Sequence, residues 1–401
     1  MIGFIAFSFL CFVPLISGGD FFGDMYEFPK LLMCVVITAL FIFSTMRDVW
    51  LRGKRVQFSR PVWRLMGVAT LFFGIQIVSV ASNQSWSISV WGSPYRYQGL
   101  VFWALCAALS INFSLWWRWH PSWHRFVIYP ILLSTVVVSG VVLYDFIGFN
   151  TGLFVPPVYG LRPVGTFGNP NYAGGYIALS GAACLYLLRR VHWVRIAPLV
   201  GVFTAAIIAT VSASAVVSGI AMILAYGGVR LAKRPRTMML VLAVAFSSFV
   251  LVSLISTKLL PSEETRLGIW AVGVRAVLVR PILGWGLENG ADALHAVHTP
   301  SEFYLRSVVI DRAHSLWLDT AVMSGIAGVI VRLWLMIQAG HILWVGARGG
   351  SAAAQLALVL LIGFEAFAAV NVFGLSQIII LVVSWGWYMA GESTGPNNQS
   401  D

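Results

Sequence analysis

The chain has 401 residues, of which 59% are hydrophobic and only 10% charged, and it carries a net charge of +11. That composition leaves too little polar surface to coat the two or three soluble domains a chain of this length would otherwise form, so the lipid bilayer must be its solvent. The positive balance does not point to nucleic acid, because most of the cations fall in short connectors between apolar runs, where membrane topology and anionic lipid headgroups account for them.

Taken in chain order, apolar runs long enough to cross a hydrocarbon core of roughly 30 Å as helices predict spans near 2–17, 31–45, 65–81, 100–117, 126–147, 172–188, 196–210, 215–229, 238–255, 315–341, 353–372 and 376–391. The expected fold is an all-α polytopic membrane protein of about twelve transmembrane helices, forming a single domain over 1–401. A helical loop over 256–313 joins the ninth and tenth spans, and 392–401 is a tail. The first run lacks a basic start and an Ala-x-Ala-like exit, so a removable signal peptide is not expected. Cys11, Cys34, Cys106 and Cys184 all fall inside spans, which argues against a disulfide framework.

Orientation follows from the cations, because short cytoplasmic loops retain Lys and Arg. With the N-terminus inside, the inner connectors hold Arg47, Arg52, Lys54, Arg55, Arg60, Arg64, Arg118, Arg125, Arg189, Arg190, Arg195, Arg230, Lys233, Arg234, Arg236 and Arg348. The outer connectors are about twice as long in total and hold only Lys30, Arg96, Arg162, Lys258, Arg266, Arg275, Arg280, Arg306 and Arg312. Both termini are therefore expected in the cytoplasm.

The outer cations run against the topology rule and cluster between Arg266 and Arg312, where the chain leaves the membrane for longest. Within that loop, 263–280 reads as an amphipathic helix that starts with two acids and stops at Pro281. Leu267, Trp270, Ala271, Val274, Val277 and Leu278 form one stripe, with Arg266 and Arg280 on one flank and Arg275 on the other. Such a helix lies in the headgroup plane with its guanidinium groups at phosphate level. Simple snorkelling explains any one of these arginines, but a cluster suits a diphosphate, which a planar, permanently charged fork grips through two oxygens. Fixed cations also stabilise charge developing on a departing phosphate without a metal. The outer acids Glu263, Glu264, Glu288, Asp292, Glu302 and Asp311 include no Asp-x-Asp pair to hold Mg²⁺ or Mn²⁺, so neither a metal nor a cofactor is expected.

At the point of re-entry lies Asp311-Arg312-Ala313-His314-Ser315. A histidine there titrates near neutrality and suits proton transfer from a hydroxyl, with Asp311 one helical turn earlier to fix its tautomer. The alternative is an interfacial histidine at the head of a span, and His295 and His298 compete for the role. His120, His124, His192 and His341 lie on or near the inner side. In the other outer loop, 165–175 (GTFGNPNYAGG) is a turn-rich run in which Asn169-Pro170 favours a turn and Asn171 is the expected N-cap. The free N–H groups of the next helix would then face an anion beside Arg162, although a plain turn with a capped helix fits the same residues. The stretch 284–290 (GWGLENG) follows no strand of a βαβ unit and is not read as a nucleotide loop. Inside the bilayer, Asp145, Asp319, Arg332 and Glu365 are the ionisable residues, as bundle-facing pairs or a pathway.

The order of these features resembles the bacterial O-antigen ligase family, whose wider group includes O-antigen polymerases and protein O-oligosaccharyltransferases. The matching residues are Gly165–Asn171, then Arg266–Trp270 with Pro281, Gly284 and Gly286, then His314, Ser315 and Leu318, over roughly 160–335. The resemblance implies a metal-independent, GT-C-type glycosyltransferase in a Gram-negative inner membrane. Such an enzyme would take an undecaprenyl-diphosphate-linked glycan at the periplasmic face and pass it to a lipid A core acceptor. It would place the family's loop arginine on Arg266 and its essential histidine on His314; the reading of the two loops adds Asn169, Asn171, Arg275 and Arg280 as expected diphosphate contacts. One departure stands out: many relatives carry Arg where Ala215 stands, so Arg162 or Arg312 is expected to take over that contact. A compact outer loop favours a ligase over a polymerase or a protein oligosaccharyltransferase. A lipid-linked glycan flippase is the rival of another class, disfavoured by the lack of a visible repeat and the scarcity of mid-bilayer charge.

Overall fold

The computed structural model of the chain describes residues 2–17, 26–81, 85–94, 96–120, 122, 128–148, 162–187, 191–231, 262–299 and 310–392. Its helices are α1 (Ile2–Phe12), α2 (Glu27–Arg52), α3 (Arg60–Ala81), α4 (Trp86–Trp91), α5 (Leu100–Trp119), α6 (Ile128–Phe146), α7 (Pro170–Gly181), α8 (Ala183–Leu187), α9 (Trp193–Ala209), α10 (Ala213–Leu231), α11 (Ser262–Val279), α12 (Gly290–Val297), α13 (Leu316–Arg348), α14 (Ala352–Val370) and α15 (Leu375–Glu392). No strand occurs among the described residues.

Seven of these helices are long and apolar enough to cross a membrane, and Ile2–Leu15, Trp193–Ala209 and Leu375–Ala390 are shorter apolar helices. Many apolar side chains on them point outward, including Phe43, Ile208, Ile223, Ile330 and Ile337. Water would not tolerate such a belt, and lipid requires it. The chain is a multi-pass membrane protein. Helices occupy every expected span that falls within the described residues, while 238–255 lies outside them. So do the tail residues 393–401 and the loop stretches 256–261 and 300–309. Arg125, Lys233, Arg234, Arg236, Lys258 and Arg306 fall there too, as do His124 and Glu302.

Two expected spans are broken. The sixth is split at Ala182 into α7 and α8, and the tenth carries a non-helical Gly325, at φ 61° and ψ −166°, inside α13. A break inside a membrane helix strands backbone polar groups that lipid cannot satisfy. Here the stretch 281–286 takes them up. Trp285 N–H donates to Val322 O (2.9 Å) and Gly286 N–H to Met323 O (2.9 Å), while Ile326 N–H donates to Pro281 O (2.8 Å). The fit needs glycine on both sides: a Cβ on Gly284 would come within 2.5 Å of Met323 backbone, and one on Gly325 within 2.2 Å of Ile282 O. The glycine-rich run is thus a backbone staple into the α13 break, and Ser79 in α3 closes it by donating to Leu283 O and Met323 O.

Around this frame α13 packs on α3 and α14, α14 on α10 and α15, and α15 on α5. The opposite part of the core is aromatic: Phe7 from α1, Phe41 from α2 and Phe113, Trp116 and Trp117 from α5 stack and edge together. All five are fully buried.

Candidate functional site

The connections 92–99, 162–170, 210–213, 280–290, 310–316 and 371–375 gather at one end of the bundle. Among them lie all four described non-glycine residues with positive φ: Tyr97 (53°), Val211 (48°), Glu288 (63°) and His314 (53°). Such backbone costs energy and persists only where the surroundings impose it, which is common at functional sites.

Arginine–carboxylate pairs do the imposing. Arg96 forks onto Asp311, with Nε 2.5 Å from Oδ2 and Nη2 3.0 Å from Oδ1, and its Nη1 reaches the Tyr172 hydroxyl. Arg312 turns the other way, to Glu288 and to Gln98 Oε1 (3.3 Å). Glu288 also accepts from the backbone N–H (3.2 Å) and hydroxyl (3.1 Å) of Ser93. Gln98 in turn donates to Phe373 O (2.9 Å), tying the cluster to the α14–α15 connection. Asp319, one turn into α13, accepts from the Ala313 N–H at 2.7 Å and leaves its other oxygen buried without a partner among the described residues.

His314 sits inside this cage, half-buried, and its ring makes no hydrogen bond among the described residues. Burial, then the positive charge of Arg96, lower its pKa from the usual 6.5 to about 4; Asp311 pulls the other way, while Arg266 and Arg312 add to the lowering. The imidazole is therefore neutral at pH 7, able to accept a proton. Asp311 is itself held below the usual carboxylate range, because the Arg96 fork outweighs the cost of its burial.

The expected residues fall into three groups. His314, Arg266, Arg312 and Asp311 come together, since the charges of all three partners act on the His314 ring. Arg162, Asn169 and Asn171 form an adjoining edge. Arg162 Nε donates to Thr210 O (3.0 Å) and Nη2 to Val211 O (3.1 Å) and Asn171 Oδ1 (3.1 Å). This edge meets the first group through Tyr172. Arg275 lies further along α11, where its Nε donates to Val297 O (3.4 Å), and Arg280, just past the helix end, stacks over the Trp285 ring at 4.2 Å. Neither is among the charges acting on His314.

Three local expectations need correction. The N-cap of α7 is Asn169, whose side chain accepts from Asn171 N–H at 2.8 Å, and Asn171 lies inside the helix. Pro170 explains the shift, because its fixed φ and missing N–H suit the first helical position. Asp311 does not fix the His314 tautomer by a hydrogen bond, because both of its oxygens are taken by Arg96. Arg312 is paired with Glu288 within the protein rather than turned toward a substrate anion.

Helix α11 ends before Pro281, as its sequence pattern predicts. Its buried face is Ile269, Val272, Gly273 and Ala276, packed toward Leu318. The apolar stripe Leu267, Ala271, Val274 and Leu278 is exposed on the other side, as a lipid-facing surface must be. Arg96, Gln98, Tyr172, Glu288 and Asp319 were not singled out from sequence for this site. Three of them carry a signal of another kind: Glu288 as an acid in a glycine-rich turn, Asp319 as an ionisable residue inside the bilayer and Arg96 as an outer cation.

Residues 171–333 match the family model described as O-antigen ligase. They run from the second residue of α7 into α13 and so include Tyr172, Arg266, Glu288 and the 311–319 segment. No curated protein matches the chain.

Proposed function

We propose that this chain, which belongs to the O-antigen ligase family, transfers an undecaprenyl-diphosphate-linked glycan to the lipid A core. The reaction would run at the periplasmic face of a Gram-negative inner membrane, with both termini in the cytoplasm and the fold of GT-C type. The observation that carries the reading is the half-buried imidazole of His314, set among Arg96, Asp311 and Arg312 and in the field of Arg266, within the segment that matches the family model.

The chemistry is a single inverting displacement. His314 takes the proton from the acceptor hydroxyl as its oxygen attacks the anomeric carbon. The bond from that carbon to the diphosphate oxygen breaks, and the electron pair leaves on the diphosphate. Arg266 stabilises the charge that develops there, which is why no metal is needed in this scheme. Arg162 is the best substitute for the arginine many relatives carry at the position of Ala215. Its guanidinium rests on the Thr210 and Val211 carbonyls, at the head of the turn leading into α10. Both lipid substrates reach the site sideways between helices, with the exposed stripe of α11 in the bilayer.

The test is transfer by purified protein in vesicles, with lipid-linked glycan and each class of acceptor, read by product mass. A glycosylated lipid A core is the expected product. A glycan or protein acceptor used in its place would reassign the acceptor, and donor movement without a new glycosidic bond would identify a flippase.

A further inference from the structure

Arg96 lies outside the matched segment, in the short connection between α4 and α5, and carries no resemblance of its own. Yet it is 7% exposed and three of its N–H groups are engaged, two by Asp311 and one by Tyr172. Asp311 heads the turn that ends at Ser315, and the Asp319 carboxylate holds the same turn at the Ala313 N–H. His314 lies just past these two anchors with φ 53°, a conformation that would relax if either were lost.

We propose that Arg96 is a positioning residue for glycosyl transfer: it touches no substrate, and acts by clamping the 311–315 turn and setting the electrostatic field around His314. The proposal rests on the reading of His314 as the base. The Nε–Nη2 edge of Arg96, the side that grips a carboxylate or a phosphate through two parallel hydrogen bonds, is already occupied by Asp311, which favours positioning over a diphosphate contact. The charges acting most strongly on His314 are Arg96, Asp311, Arg266 and Arg312, and the first two oppose each other. Removing the Arg96 charge leaves Asp311 unopposed and makes His314 easier to protonate; removing the Asp311 charge makes it harder.

The experiment uses the full chain in phosphatidylethanolamine–phosphatidylglycerol vesicles. Modification of His314 by diethyl pyrocarbonate, which requires the neutral imidazole, is followed against pH by peptide mass for wild type, Arg96→Gln, Arg96→Lys and Asp311→Asn. The midpoint should rise by about one pH unit in Arg96→Gln, stay near wild type in Arg96→Lys and fall in Asp311→Asn. A rise in both Arg96→Gln and Asp311→Asn would indicate general loosening and overturn the proposal, as would no change in either. In the transfer assay, Arg96→Gln and Arg96→Lys should lower kcat at least tenfold with donor KM within about twofold. A raised KM at unchanged kcat would make Arg96 a donor ligand and overturn the proposal. The modification curves need no activity, so retained transfer by His314→Ala would remove the functional reading without being mistaken for a failure at Arg96.

Discussion

The aromatic core of α1, α2 and α5 and the polar cage around His314 are both densely buried, but they are specified in different ways. Phe7, Phe41, Phe113, Trp116 and Trp117 hold together through area and shape, and any one of them has several interchangeable neighbours. In the cage Arg96 is matched to Asp311 and Arg312 to Glu288, and Arg96 and Asp311 are separated by 215 residues in sequence. Apolar packing degrades gradually as volume is removed, whereas a buried charge that loses its partner fails at once. The comparison teaches that rigidity at the site comes from paired charges rather than from bulk.

The sharpest way to separate the two regions is His314→Ala. Transfer should fall by about 10²–10⁴-fold with thermal unfolding of the solubilised protein unchanged, because the ring makes no hydrogen bond among the described residues. Next in size, Phe113→Ala and Arg312→Ala should each lower stability by about 3–5 kcal/mol, through a cavity in one case and an unpaired Glu288 in the other. The regions then part company. Arg312→Met combined with Glu288→Leu should recover most of the lost stability, since the charges leave together, whereas no partner change rescues Phe113→Ala. If the double variant is as unstable as Arg312→Ala, the comparison is wrong.

Acid sharpens it further. The folded pKa of His314 lies below its unfolded value, so the unfolded chain takes up a proton that the folded chain refuses. This contribution to stability is whole above pH 6.5 and is lost as pH falls toward about 4, and it should vanish in His314→Ala. Transfer by the wild type should persist below pH 6.5, with its acid limb near pH 4. The smallest effect expected is at Asn169→Ala, which removes the α7 cap at about 1 kcal/mol, measured by the same thermal unfolding.

Hydropathy and cation placement made the helices legible because a bilayer enforces them one segment at a time: each span must be apolar over its own length. The break in α13 was hidden because Gly325 lies in a continuous apolar run, and its compensation comes from 281–286, which reads as a loop. His314 was legible as an imidazole at a membrane boundary beside acids and arginines, and Arg266 as one of a cluster on an amphipathic helix. Arg96 was not, because a lone arginine in a short connector carries nothing in its neighbours to say which carboxylate it will meet. Asp311 was singled out for the wrong contact for the same reason: spacing placed it one turn from His314, but the fork of Arg96 competes better for both oxygens than an imidazole does for one. Asn169 against Asn171 was a matter of local rules, settled by the proline between them.

The central claim is that Arg266 holds the diphosphate that leaves while His314 activates the hydroxyl that attacks. Donor binding and transfer, measured side by side in the same vesicles for Arg266→Ala and His314→Ala, test it directly. Arg266→Ala should bind undecaprenyl-diphosphate-linked glycan at least tenfold more weakly, and His314→Ala should bind it as the wild type does and transfer none of it. Wild-type binding by Arg266→Ala together with continued transfer by His314→Ala would contradict the account.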